Sequence, residues 1–392
     1  MASQQTRRDV YRLERLGFAA FGICLAALLF ETYRRDRDRK FFLAAPDVSL
    51  RGVRTGTIDV QHSRETLVAC EDHQGPLPNV PVRLSYHTNF DKAICDPRLH
   101  VLLLHSTGML DSYYWWSREN LRRAGAHAMA RAMSPQHETR SFVEKVIDAG
   151  GKGTCVTTFS LRGHGRSEVT EGPWTTKLLG QDVAAAFKKL HPGERAHVNG
   201  LSLGFGAAMQ IALEHPEIAR SLSGSGFLGD RATADARGGF VPLALRLVAW
   251  FFSRRPTIDV LGMHLMGFAA DVVLSCKPAG LMSALFRYGT TDGFARASAS
   301  WLGFDASARW PTLQPPLLWL AYPRDHMAGV SLDAARAEFA AVKAAQGPAS
   351  LSKFVEVSVT GEEAHCRMCE APDEYVGELM AFVRGVAADS KT

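Results

Sequence analysis

The chain has 392 residues, of which 46% are hydrophobic and 22% charged, and 45 Lys+Arg against 40 Asp+Glu give a formal charge of +5. That ordinary globular balance excludes a disordered, collagenous or disulfide-scaffold protein and fits one large domain or two modest ones. The basic excess is local: residues 1–40 hold nine Lys/Arg against five acids, a net +4, which leaves +1 for everything else. A nucleic-acid-binding face needs clustered positive charge, so no nucleic-acid partner is expected of so neutral a body.

The first element is Leu16–Phe30, fifteen residues without a charge, between two basic clusters. As a helix it spans roughly 22 Å, short of the ~30 Å hydrocarbon core. Tyr11, Tyr33 and the flanking arginines can extend it by snorkelling. The reading favoured is a single-pass membrane anchor over residues 1–40. A core or amphipathic helix and a cleaved targeting signal are the alternatives. No small-x-small cleavage site follows the run, and Asp9 and Glu14 speak against a mitochondrial presequence. Four Lys/Arg precede the run and five follow it, so orientation stays open.

From about residue 53 short apolar runs alternate with helical patterns, which is the signature of an α/β fold with a mostly parallel sheet. Val80–Tyr86 follows the turn Gly75–Pro81 as the second strand of an early hairpin. Val101–His105, Cys155–Phe159, Ala196–Asn199 and Pro316–Ala321 have the short, apolar or β-rich character of buried central strands. Ile218–Ser223 and Phe354–Val359 fit that pattern less cleanly. Helical patterns fall at Ser141–Ala149, Lys177–Leu190, Phe205–His215 and Ala334–Ala345. Residues from about 228 to 312 break the alternation. They hold Phe240–Phe252 and Val260–Leu274, rich in Leu, Met and Phe, and are expected to form an inserted helical cap.

Seven cysteines form an odd, scattered set unlike a disulfide framework, and no Asn-x-Ser/Thr acceptor occurs. Both features lean toward a reducing compartment for the body. Cys366-x-x-Cys369 beside His365 has no second pair at zinc-ligand spacing, so neither a metal nor a cofactor is expected.

The strongest chemical signal is Gly200-Leu201-Ser202-Leu203-Gly204, directly after the strand Ala196–Asn199 and directly before a small-residue helix. A serine there sits on a tight strand-to-helix turn, and the flanking glycines let strand and helix approach without Cβ clashes. The helix that starts at this point aims its N–H groups and positive dipole end at the site, where oxyanion charge would develop. A serine nucleophile needs a base and an orienting carboxylate. Only His326 and His365 lie beyond residue 325. His365 follows the Phe354–Val359 run through a Gly361-containing loop, and Asp325 follows Pro316–Ala321, so both occupy strand C-terminal ends, where active sites of parallel sheets gather. The catalytic expectation is therefore Ser202, Asp325 and His365.

In these features the sequence resembles the α/β-hydrolase family over roughly residues 53 to 387. His105-Ser106-Thr107-Gly108 is similar to the family's His-Gly loop, and Phe159–Ser167 to its Asp-x-Arg-Gly-x-Gly-x-Ser segment. His365 followed by Pro372, Val376 and Phe382 is similar to its closing helix. The resemblance implies Ser202 as nucleophile, Asp325 as acid and His365 as base, with oxyanion N–H groups from Leu203 and Thr107 and with Gly200 and Gly204 shaping the elbow. Ser106 stands in place of the usual glycine and Ser160 in place of the usual aspartate. A serine rather than an aspartate nucleophile disfavours the family's epoxide hydrolases and dehalogenases. The expected protein is a membrane-anchored serine hydrolase of a hydrophobic or lipid ester. An acyltransferase using the same triad and a non-catalytic membrane scaffold are the alternatives.

Overall fold

The short apolar runs assemble into one eight-stranded sheet. The computed structural model describes residues 52–62, 81–123, 125, 127–170, 174–226, 290–302, 304, 306–322, 332–357, 368 and 371–389. It also describes isolated positions between 22 and 33 and between 251 and 267, nearly all of them helical. The strands are β1 (Arg54–Val60), β2 (Val82–Thr88), β3 (His100–Leu104), β4 (Cys155–Phe159), β5 (Ala196–Leu201), β6 (Ala219–Ser225), β7 (Leu317–Ala321) and β8 (Lys353–Glu356). They lie in the order β1-β2-β4-β3-β5-β6-β7-β8. β2 runs against both neighbours, and every pairing from β4 across to β8 is parallel. The sheet is thus the mostly parallel one expected. From β3 the chain moves outward to β4 and then returns to the far side of β3 as β5. The crevice between diverging connections therefore opens at the C-terminal ends of β3 and β5.

Helices α1 (Arg118–Arg123), α2 (His127–Ala132), α3 (Phe142–Gly150), α4 (Thr176–Leu190), α5 (Leu203–Glu214), α6 (Thr291–Leu302), α7 (Leu332–Gln346) and α8 (Pro372–Asp389) complete the described elements. Successive strand side chains point to opposite faces, and the core divides accordingly. Val101 and Leu103 of β3 join Leu318 and Leu320 of β7 under Phe142, Val146, Leu379 and Val383 of α3 and α8. Leu102 and Leu104 join Leu317 and Trp319 under Val183, Phe187, Phe205 and Ile211 of α4 and α5. Each such large side chain contributes about 1.5–3 kcal/mol on full burial, which is why both faces of the sheet are covered. α3 starts sharply because the Ser141 hydroxyl accepts from Glu144 N while the Glu144 carboxylate accepts from Ser141 N, a reciprocal cap.

One expectation changes. Cys95 and Cys155 are joined by a disulfide with Cα atoms 5.9 Å apart, packed beside buried Phe90. The cysteine set is therefore not wholly free, and the lean toward a reducing compartment loses one of its two supports. Spacing in the chain could not show this pair, because the turn after β2 and the start of β4 meet only in the folded sheet. A cross-link of this sequence separation, 60 residues, typically contributes about 2–4 kcal/mol. Most of residues 1–40, expected to hold the anchor, and most of residues 228–312, expected to form the cap, lie outside the described residues. Among the described residues no helix is long and apolar enough to cross a membrane. Helix α6, in the stretch expected to form a cap, packs beside α4, Thr176 Oγ1 donating to Ser300 O at 3.0 Å and the Arg296 guanidinium lying 5.9 Å from the Trp174 ring centroid.

Five of the buried imidazoles have a pKa lowered by their surroundings. His100 and His191 both meet Thr157 Oγ1, at 2.8 and 3.0 Å, and His197 lies between Ser221 Oγ and Arg98 O at 2.7 and 2.8 Å. Desolvation is the main cause that holds His137, His191 and His197 down at about 4 and His164 at about 3, and it also lowers His100. A folded-state pKa below the unfolded value of 6.5 means that the unfolded chain takes up protons the folded chain refuses. This stability is fully present above pH 6.5 and is lost as pH falls toward 4 and 3. Urea unfolding is expected to lose free energy between pH 6.5 and 4, each imidazole adding up to about 1.4 kcal/mol per pH unit. A flat profile across that window would contradict the assignment of neutral buried imidazoles.

Candidate active site

Ser202 stands where β5 ends and α5 begins, with φ 52° and ψ −122°. Among the described residues it is the only non-glycine with positive φ, a conformation that costs on the order of 1–3 kcal/mol and persists only where its surroundings enforce it. Here Ser202 N donates to Ser225 O at 2.9 Å, and Ser202 O accepts from Phe205 N and Gly206 N at 2.8 and 3.1 Å. A serine at a helix N-cap ordinarily folds its hydroxyl back onto the first-turn amides. Ser202 makes no such bond, so its Oγ is left out of the helix's own hydrogen bonding. It is half-buried between buried Leu201 and Leu203.

The flanking glycines are a steric requirement. A Cβ on Gly200 would lie 2.2 Å from Gly204 O and 2.4 Å from Phe205 N, and one on Gly204 would lie 2.3 Å from Leu104 O and 2.6 Å from His105 O. The first turn of α5 thus rests directly on the end of β3. Beneath the elbow the Asn199 side chain donates to Ser223 Oγ at 2.9 Å and to the Tyr375 hydroxyl at 3.0 Å, tying β5 to β6 and α8.

The loop that follows β3 runs through His105, Ser106, Thr107 and Gly108. Gly108 takes φ 77°, and Met109 N closes the turn onto Ser106 O at 3.1 Å. Ser106 has no positive φ, so a side chain in the family's glycine position costs no backbone strain. Because β3 pairs with β5 and Gly204 abuts Leu104 and His105, Thr107 and Leu203 lie on adjoining segments at one end of the crevice. These are the two residues expected to supply oxyanion N–H groups.

The segment after β4 is held by a buried ion pair. Arg162 Nε and Nη2 donate to the two oxygens of Asp182 on α4, both at 2.8 Å, and Nη1 donates to Thr170 Oγ1 at 2.5 Å. His62 Nε2 lies 2.6 Å from Asp182 Oδ1, and all four residues are buried. Such a fork-to-fork pair fixes orientation as well as charge. Ser160, in the family's aspartate position, is also buried, and its carbonyl accepts from Ser167 Oγ at 2.6 Å. The sequence reading singled out the Arg162 motif but missed its partner. Asp182 did carry a signal, as the one acid of the helical pattern, set between Leu178-Leu179 and the apolar run Val183–Phe187. His62, far away in the chain, carried none.

Of the predicted residues, Ser202, Leu203, Thr107, Gly200 and Gly204 come together at the C-terminal edge of the sheet. Asp325 and His365 lie outside the described residues, as do Cys366 and Cys369. The strands that precede them in the chain, β7 and β8, run parallel to β5 and β6 and end at the edge of the sheet that carries Ser202.

Strand order, elbow and β3 loop together are those of one fold family. The chain belongs to the alpha/beta hydrolase family, whose model matches residues 101–378. No curated sequence matches it. Solved structures share the fold at low identity. A thermophilic esterase from Thermogutta terrifontis aligns with TM-score 0.57 and 18% identity, over 84% of this chain and 99% of its own. A hydrolase from Pseudomonas aeruginosa PA01 gives 0.50 and 20%, over 79% and 99%. MenH from S. aureus gives 0.53 and 13%, over 77% and 98%.

The Arg162–Asp182 pair yields a direct test. Asp182→Ala strands a buried guanidinium and is expected to lower the free energy of urea unfolding by about 3–5 kcal/mol. A loss below about 1 kcal/mol would show that the pair does not hold the segment after β4.

Proposed function

We propose that this chain is a membrane-anchored serine hydrolase that cleaves a carboxylic ester of hydrophobic or lipid character. The observation that carries the proposal is Ser202: a strained residue at the start of α5 whose hydroxyl takes no part in capping that helix. His365 would take the Ser202 Oγ proton as Oγ attacks the ester carbonyl carbon. Asp325 would orient the imidazole and stabilise its charged form. The tetrahedral oxyanion would sit between the Leu203 and Thr107 N–H groups. His365 would then return the proton to the departing alcohol, and water would clear the acyl group from Ser202. The order Ser202, Asp325, His365, each after its own parallel strand, supports this division of roles.

Fold alone does not choose the substrate. An ester is favoured because structures of this fold include the esterase above and a membrane phospholipase A, the latter at TM-score 0.50 and 16% identity over 97% of this chain and 99% of its own. An apolar substrate is favoured by the cap-region run Phe240–Phe252, in which Phe251 is exposed. A fluorophosphonate probe is expected to label the full-length protein on Ser202, with labelling abolished in Ser202→Ala. Absence of labelling on folded protein would end the serine-hydrolase reading, and undiminished labelling of Ser202→Ala would end the assignment of the nucleophile.

The anchor rests on the uncharged run Leu16–Phe30 between basic clusters and on the exposed side chains of Ile23, Leu29 and Phe30 along its helical positions. Full-length protein expressed in cells is expected to stay in the membrane pellet after alkaline carbonate washing and to be released by detergent. Release by carbonate alone would refute an integral anchor.

A further inference from the structure

We propose that His105 and His164 are positioning residues that lock the β3 loop, and with it the Thr107 N–H, in the geometry an oxyanion requires. The inference rests on the serine-hydrolase reading for its consequence, but not for its geometry. Four hydrogen bonds define the lock. Leu161 N donates to His105 Nε2 at 2.9 Å, and His105 Nδ1 lies 2.8 Å from Ser106 O. Gly108 N donates to His164 Nε2 at 3.2 Å, and His164 Nδ1 lies 3.0 Å from Arg162 O.

A backbone N–H can only donate, so both Nε2 atoms must present lone pairs. A backbone carbonyl can only accept, so both Nδ1 atoms must carry the proton. The four partners therefore dictate one state for each ring: neutral and protonated at Nδ1. The opposite tautomer would set N–H against N–H at one nitrogen and lone pair against lone pair at the other, and an imidazolium would fail at Nε2. Both rings are buried, with centroids 4.9 Å apart, so a mismatched tautomer would leave buried donors and acceptors opposed to their own kind. Burial supports the neutral state, holding His164 at about 3.

The mechanical consequence follows from the chain path. Ser106 O accepts both from His105 Nδ1 and from Met109 N, so the turn 106–109 is pinned at its first carbonyl. His164 pins the same turn at Gly108 N. Thr107 lies between the two pins. The segment carrying His164 is itself fixed by Arg162 on buried Asp182, so the β3 loop is referenced to α4 rather than to solvent. A rigid hole matters because an oxyanion donor misplaced by about 1 Å can cost up to roughly a hundredfold in rate.

The direct test needs no variant. In deuterated, 15N-labelled full-length protein, the amides of Gly108 and Leu161 are expected to show trans-hydrogen-bond nitrogen–nitrogen couplings to two imidazole nitrogens that carry no proton. Absence of both couplings, or protonated Nε2 atoms at pH 7, would overturn the lock. The functional arm uses p-nitrophenyl butyrate and a fluorophosphonate. His164→Ala is expected to lower kcat and the phosphonylation rate by about tenfold to a hundredfold with KM within about twofold of wild type. His164→Gln, whose Oε1 can accept from Gly108 N, is expected to recover most of the loss. An unchanged kcat in His164→Ala, or equal loss in Ala and Gln, would overturn the positioning role. Wild-type protein that neither hydrolyses nor labels would instead overturn the serine-hydrolase reading, while the coupling measurement still decides the lock.

Discussion

Close approach of the backbone at the start of α5 is the constraint on which the rest of the crevice depends. Gly204 leaves room for Leu104 O and His105 O at a distance where a methyl group could not sit. Gly200 does the same for the first turn of the helix. With both side chains absent, β5, α5 and the end of β3 share one small volume, and Ser202 takes the strained backbone that joins them. The strain is local and the restraint is not, because Ser202 N bonds to β6 and Asn199 reaches α8.

Around that junction the polar groups are paired in a way that removes freedom from the loops. The Arg162–Asp182 pair is buried, and pairs of this kind are weak evidence for stability because desolvation offsets much of their attraction. Their value here lies in direction. Two parallel N–H···O bonds set the guanidinium plane, the plane sets the segment 161–164, and that segment presents His164 to Gly108. Loops of α/β folds carry function because a rigid sheet positions them. In this protein two of those loops are also fastened to each other.

Much of this was legible in the chain. The central strands announce themselves because strands covered on both faces must be apolar throughout, and Val101–His105 and Cys155–Phe159 differ from the observed β3 and β4 by a residue at most. β5 runs on to Leu201, two residues past its predicted end, because the ladder with β6 continues until the elbow itself. The pentapeptide Gly200–Gly204 was readable because its steric demand falls on neighbours in sequence. The short helices α1 and α2 were not anticipated, since six-residue helices carry too little periodicity to stand out.

By itself, the sequence determined the positions of the central strands, the elbow and the order of the three candidate catalytic residues, all of them properties of local pattern or of succession along the chain. Only the tertiary structure decided that Cys95 pairs with Cys155, that Arg162 meets Asp182 and His62, and that His105 and His164 face each other across two loops. Each of those pairs joins residues that are remote in sequence, and their ring and carboxylate chemistry is set by what the fold brings opposite them. A histidine in a sequence carries no tautomer. It acquires one when a backbone N–H is placed against one nitrogen and a carbonyl against the other.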